Sequence, residues 1–149
     1  MIAAFLFAYV LASTGGGEPS DWWIVGRDGP RWVLIDKDSV EQENRHTTVE
    51  ADASTYVTFV EPGADEPIRQ QFVGFNCRKK TVYFGMAMYF AADGSRLRTD
   101  GAPSDVPKFN YLDGDSFGLL CAHTDPADAS RHIGNVGMSG LVRAVAKRP

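Results

Sequence analysis

Ile68-Arg-Gln-Gln-Phe-Val-Gly-Phe-Asn-Cys77, Arg78-Lys79-Lys80 and Thr81-Val-Tyr-Phe-Gly-Met-Ala-Met-Tyr-Phe-Ala91 run together and decide the fold class. In the last segment Val82, Phe84, Met86, Met88 and Phe90 recur at every second position, the spacing that sends side chains to one face of a strand. This stripe is the strongest core prediction in the chain. The segment before it begins polar and turns aromatic at Phe72 and Phe75, which predicts a second long strand. Arg78-Lys79-Lys80 is then the turn of an antiparallel hairpin.

Working outward, Thr47 to Val60 also alternates, with Val49, Ala51, Ala53, Val57 and Phe59 opposite Thr48, Glu50, Asp52 and Ser54, and reads as a strand with one wet face. The loop Glu61 to Pro67 is rich in Pro, Gly and acid. Upstream, Trp22-Trp-Ile-Val-Gly26 and Arg31-Trp-Val-Leu-Ile-Asp36 flank Asp28-Gly29, a strong hairpin signal because both residue types tolerate a positive φ. Asp36-Lys-Asp-Ser-Val40 predicts a turn or a single helical turn. Downstream, Arg96 to Pro107 lacks periodicity and reads as a connection. Ser116 to His123 predicts a short helix, capped by Asp115 or Ser116, that carries Phe117, Leu120 and Cys121 toward the sheet. The expectation is an α+β fold: an antiparallel sheet of about five to six strands with a short C-terminal helix.

A length of 149 residues suits one domain. Residues 21–125 form it, 1–20 read as a signal-peptide-like segment and linker, and 126–149, small and basic in composition, read as a flexible tail. The run Met1 to Ala12 is uncharged and apolar, too short to span a bilayer but the right length for a signal-peptide core. Val10-Leu11-Ala12 offers a cleavage site, so the mature chain begins near Ser13. No Cys follows the run, which argues against a lipid anchor. In an exported chain the two cysteines, Cys77 and Cys121, read as one disulfide. The net charge of −4 leaves no basic stripe to neutralise phosphates, so nucleic acid is not expected as a partner.

The order of Trp23, Trp32-Val-Leu-Ile-Asp36, Asp38-Ser39-Val40, Phe75-Asn-Cys-Arg78 and a final helix with Cys121 resembles the bacterial surface-adhesin protein E family over about Trp22 to His123. The resemblance implies an antiparallel sheet backed by helix, paired cysteines, and binding to host extracellular-matrix proteins. The residues after His123 fall outside it.

Chemistry is sparse. Cys77, Cys121 and His123 lack a fourth ligand for zinc, and Asp113-Gly-Asp-Ser116 lacks the further acids of a calcium loop. Ser116, His123 and Asp125 form a catalytic set only on paper, without a Gly-x-Ser-x-Gly elbow. His46 and His132 read as lone exposed histidines. Arg78, Lys79 and Lys80 make the one compact cationic feature and are the binding candidates. The Trp22, Trp23 and Trp32 cluster reads mainly as core. The expected function is a non-catalytic exported or cell-envelope protein-binding module with no catalytic residue, metal or cofactor and no membrane span, monomer or homodimer. The alternatives are a periplasmic binder of a small ligand, suggested by Met86 and Met88 beside aromatic residues, and a small hydrolase.

Overall fold

The two Trp-rich runs near the amino terminus are apolar without alternation, which fits strands covered on both faces. In the computed structural model, which describes residues 18–42, 52–103 and 114–149, they form β1 (Ser20–Asp28) and β2 (Arg31–Asp36). Gly29, at φ +59°, makes the tight turn between them. A 3-10 turn, Lys37–Ser39, leads to the short β3 (Glu41–Gln42), and β4 (Ala53–Val60), β5 (Ile68–Asn76), β6 (Thr81–Phe90) and β7 (Arg96–Asp100) follow. After α1 (Gly114–Ala122) come β8 (His132–Val136) and α2 (Met138–Ala146).

All strand pairings are antiparallel, in the order β7-β6-β5-β4-β2-β1-β8, with β3 beside the start of β4. Among the described residues the sheet has eight strands, more than the five to six expected. The extra pairings come from β3, from β7 in the stretch read as a connection, and from β8 in the stretch read as a tail. The flexible-tail expectation for 126–149 therefore does not describe this segment. Residues 1–17, with the expected signal-peptide core, lie outside the described residues, as do residues 43–51, with His46 and the first part of the strand expected from Thr47.

Alternation along each strand builds one core on each face. On the first face Trp23, Val33, Ile35, Val57, Phe59, Val73 and Phe75 pack with Leu119 and Leu120 of α1. On the second, Trp22, Ile24, Leu34 and Val60 pack with Leu141 and Val145 of α2. Cys77, just past β5, is bonded to Cys121 near the end of α1, with Cα atoms 5.9 Å apart. Gln42 Nε2 donates to the Leu120 carbonyl at 2.8 Å. In α1 the buried residues Ser116, Leu119 and Leu120 follow i, i+3, i+4 spacing, so Phe117, one position round the helix from Ser116, is only partly buried.

The stripe in β6 is interrupted. Gln71 pairs with Ala87 and Val73 with Phe84, so Gly85 and Met86 together oppose Phe72 in a bulge, and side-chain parity flips there. Val82 and Phe84 pack on the first core. Beyond the bulge Ala87 and Tyr89 are buried, while Met86 is 38% exposed. The buried Gln71 holds the bulge by donating Nε2 to the Gly85 carbonyl at 2.5 Å. A Cβ on Gly85 would meet Phe72 Cδ1 at 2.8 Å. Gly85→Ala is expected to cost about 1–3 kcal/mol by overpacking, read as a lower urea midpoint. The penalty should disappear in a Phe72→Ala background, as a double-mutant cycle would show.

At the end of β2, Asp36 accepts the Asp38 N–H at 3.0 Å and its carbonyl accepts the Ser39 hydroxyl at 2.9 Å. Burial pushes the Asp36 carboxyl above its ordinary value of 3.8, opposed by hydrogen bonds from Ser20 and the Asp38 amide. A raised folded pKa means that the native state holds the proton more tightly than the unfolded chain does. This stabilising contribution is present below 3.8 and fades as pH rises through the folded pKa. Asp36→Asn retains the acceptor for the Asp38 amide. It should be at least as stable as the parent at pH 7 and lose that advantage below 3.8, in urea titrations at the two pH values.

Candidate functional site

Where α1 does not reach, the first face of the sheet carries charge. Register places Phe59 opposite Arg69, Arg69 opposite Tyr89, and Tyr89 opposite Arg98, so aromatic and guanidinium groups alternate in one row across β4, β5, β6 and β7. The Arg98 guanidinium carbon lies 3.5 Å from the Tyr89 ring centroid and that of Arg69 lies 5.6 Å from it, within cation–π range. Arg69 is only 4% exposed and Tyr89 7%. Arg69 Nη2 donates to Gln71 Oε1 at 2.9 Å, so the same Gln71 that holds the bulge also orients this arginine.

The β4–β5 loop, 61–67, forms the rim. The Glu61 N–H donates to the Pro67 carbonyl at 2.8 Å and the Ala64 N–H to the Glu61 carbonyl at 3.2 Å, while Gly63 takes φ +88°. Two carboxylates of the loop clasp the floor: Glu66 accepts both Arg98 Nε at 2.6 Å and Nη2 at 2.8 Å, and Glu61 Oε2 lies 3.4 Å from Arg31 Nε. The hydrogen bonds from Arg98 hold the Glu66 carboxyl below its ordinary value and raise that of Arg98 in return. Between rim and floor lies a cleft of about 530 Å³, lined also by Asp65 and Pro67. Such a volume suits a small ligand or a terminal group of a larger one. Among the described residues lining it there is no Ser, Thr, Cys or His.

The basic turn lies at the opposite end of β5. Arg78, Lys79 and Lys80 are all exposed between β5 and β6. The Lys79 N–H donates to Asn76 Oδ1 at 2.7 Å, Lys80 takes φ +55°, and its Nζ lies 5.9 Å from the Phe117 ring centroid. With Gln42, Asp52 and the disulfide, Arg78 and Lys79 border a more open hollow of about 760 Å³.

The paper triad does not assemble. Ser116 is fully buried in the first turn of α1, while His123 follows the helix end, about 10 Å further along at the helical rise. Asp125 pairs with Lys37 at 2.5 Å, and Asp115 with Arg131 at 2.6 Å. Asp113 lies outside the described residues. His132 is not a lone histidine: its Nε2 is 2.5 Å from Asp21 Oδ1 and its ring stacks on Trp23 at 4.4 Å, fastening β8 to β1. Trp22 and Trp23 are core, and Trp32 carries the Arg27 guanidinium at 4.0 Å.

Among the described residues no group of three His, Cys, Asp or Glu side chains is placed to hold a metal, and no helix is long and apolar enough to cross a membrane. Sequence reasoning missed Arg31, Arg69, Tyr89 and Arg98. The available signal was parity: Arg69 and Gln71 occupy the same face of β5 as Val73 and Phe75, so two polar groups stand where the pattern demands core. No protein-family model matches the chain, and no curated protein or solved structure gives a significant match.

Proposed function

We propose that this chain is a non-catalytic binding module of the cell envelope, exported and disulfide-bonded, and that the arginine-lined cleft is where it engages its ligand. The observation that carries the reading is the placement of Arg69, a charged side chain 4% exposed, in the floor of an open cleft. Burying a guanidinium costs several kcal/mol, about what a well-packed apolar residue there would save. Stability alone is a poor reason for it, and recognition is a better one. The Cys77–Cys121 bond supports export, because such bonds persist in oxidising compartments.

The resemblance to the adhesin protein E family favours a protein ligand of the extracellular-matrix type. The cleft's dimensions favour the second reading, a small ligand bound in the periplasm. Intact mass of the natively expressed protein from its envelope fraction, with alkylation before and after reduction, tests the compartment. Thiols that appear only on reduction, on a chain beginning near Ser13, are expected. A full-length cytoplasmic chain with two free thiols would overturn export and the adhesin-like role together. Native mass spectrometry of the same material separates the two ligand readings: a retained small molecule supports the second, and a bare chain that captures matrix proteins supports the first.

A further inference from the structure

We infer that the cleft recognises a single carboxylate carried on a short apolar body; this rests on the reading of the cleft as the binding site. The cleft already holds two carboxylates of the chain itself. Arg98 grips the Glu66 carboxylate through two parallel hydrogen bonds of 2.6 and 2.8 Å, the fork geometry in which guanidinium matches carboxylate. Arg31 meets the Glu61 carboxylate through a single Nε contact of 3.4 Å, with its Nη1 3.7 Å from the Asp28 carboxylate. Both occupants sit on the rim loop and are about one-third exposed, each at 35%. Exposed pairs are typically weak, and the fork geometry puts this one at or somewhat above the upper end of their range, so an incoming carboxylate that takes over the same fork displaces Glu66 into water at small net cost.

Specificity comes from the surroundings. Phe59, Pro67 and Tyr89 border the cleft beside the guanidinium groups but are themselves buried, so only a small apolar surface is left to contact the ligand and the body it accommodates is short. Glu61 and Asp65 remain at the rim and repel a second negative charge, so a monocarboxylate fits better than a dicarboxylate. Arg69 adds a fixed positive charge on the floor, oriented by Gln71. The same carboxylate chemistry is offered by a free short-chain acid and by the carboxyl terminus of a peptide.

The test is an NMR titration of the oxidised full chain, labelled with ¹⁵N, against butyrate, butyramide and butylammonium, and against N-acetylated trialanine with a free or an amidated carboxyl terminus. Butyrate or the free-terminus peptide is expected to shift the amides of the 61–67 loop, Arg69, Tyr89 and Arg98, with a Kd on the order of 0.1–1 mM. A response to butyrate without a response to the peptide assigns a free acid, and the reverse assigns a peptide terminus. Arg31→Gln and Arg98→Gln should each weaken binding about tenfold, within the range for losing a hydrogen bond to a charged group. Glu66→Gln removes the internal competitor and should tighten binding about threefold to fivefold, a gain that a purely structural role for Glu66 would not produce.

Weaker binding in Glu66→Gln, or equal shifts with butyramide and butyrate, would overturn the inference. Shifts of the same residues by butyramide or butylammonium alone would overturn carboxylate recognition and leave the binding-module reading standing. If none of the probes moves these residues, the cleft falls as a ligand site and the proposed function loses its main support.

Discussion

A chain ending at Gly137, without α2, is expected to collect in the insoluble fraction. Leu141 and Val145 are fully buried and cover Trp22, Ile24, Leu34 and Val60, with Met138 and Val142 packed around them. Removing the helix uncovers the second face of the sheet along β1, β2 and β4, and a contiguous apolar patch of that kind associates with other copies. The energetics agree. Truncating one buried Leu to Ala costs about 2–5 kcal/mol, and total domain stability is only about 5–15 kcal/mol, so losing two fully buried side chains and their neighbours consumes most of it. Leu141→Ala is the milder form of the experiment and should lower stability by about 2–4 kcal/mol while leaving the chain soluble. Urea titration of that variant and the soluble fraction of the truncated chain are the two measurements. A truncated chain that stays soluble and unfolds cooperatively would show that α2 is an appendage and that β1, β2 and β4 hold together without it.

The same helix shows why part of the fold was legible in the sequence and part was not. Met138, Leu141, Val142 and Val145 follow helical spacing, but the segment around them is short, small-residued and basic, and an isolated helix of this length is marginal without tertiary support. Its order comes from docking on Trp22 and Leu34, partners more than 100 residues away in the chain. The hairpins of β1 with β2 and of β5 with β6 were legible because turn chemistry and strand pattern are local. β7 was not, since an edge strand such as Arg-Leu-Arg-Thr-Asp buries almost nothing and needs no alternation. The bulge at Gly85 could not be read from the β6 stripe, because a single extra residue leaves the composition unchanged while exchanging the faces. The cleft was hidden for a related reason. Arg69, Tyr89 and Arg98 stand on three different strands, and only the pairing register brings them side by side. The basic turn Arg78-Lys79-Lys80 stood out because its charges are contiguous in sequence, yet the guanidinium groups gathered in space are elsewhere.

Replacing both cysteines by serine is expected to lower stability by about 4 kcal/mol while leaving the arginine cleft intact in the molecules that remain folded. The loop closed by Cys77 and Cys121 has a sequence separation of 44, and the chain-entropy treatment assigns a bond of that span about 4 kcal/mol, through the freedom it removes from the unfolded chain. The loss should be confined to stability. The bond sits at the end of β5 that meets α1, whereas the cleft is built from the opposite end of β5 and from β6, β7 and the 61–67 loop. Its guanidinium row is fixed by strand register and Gln71, neither of which involves α1. Chemical denaturation with and without a thiol reductant gives the stability difference, and an NMR spectrum of the folded variant tests whether the amides of Arg69, Tyr89 and Arg98 keep their positions. A loss well under 1 kcal/mol would mean that the packing of Leu119 and Leu120 and the Gln42 hydrogen bond hold α1 in place without the disulfide. Displaced cleft resonances in a folded variant would mean that the two ends of the first face are coupled, so that the oxidation state of the cysteines governs the ligand site as well as the fold.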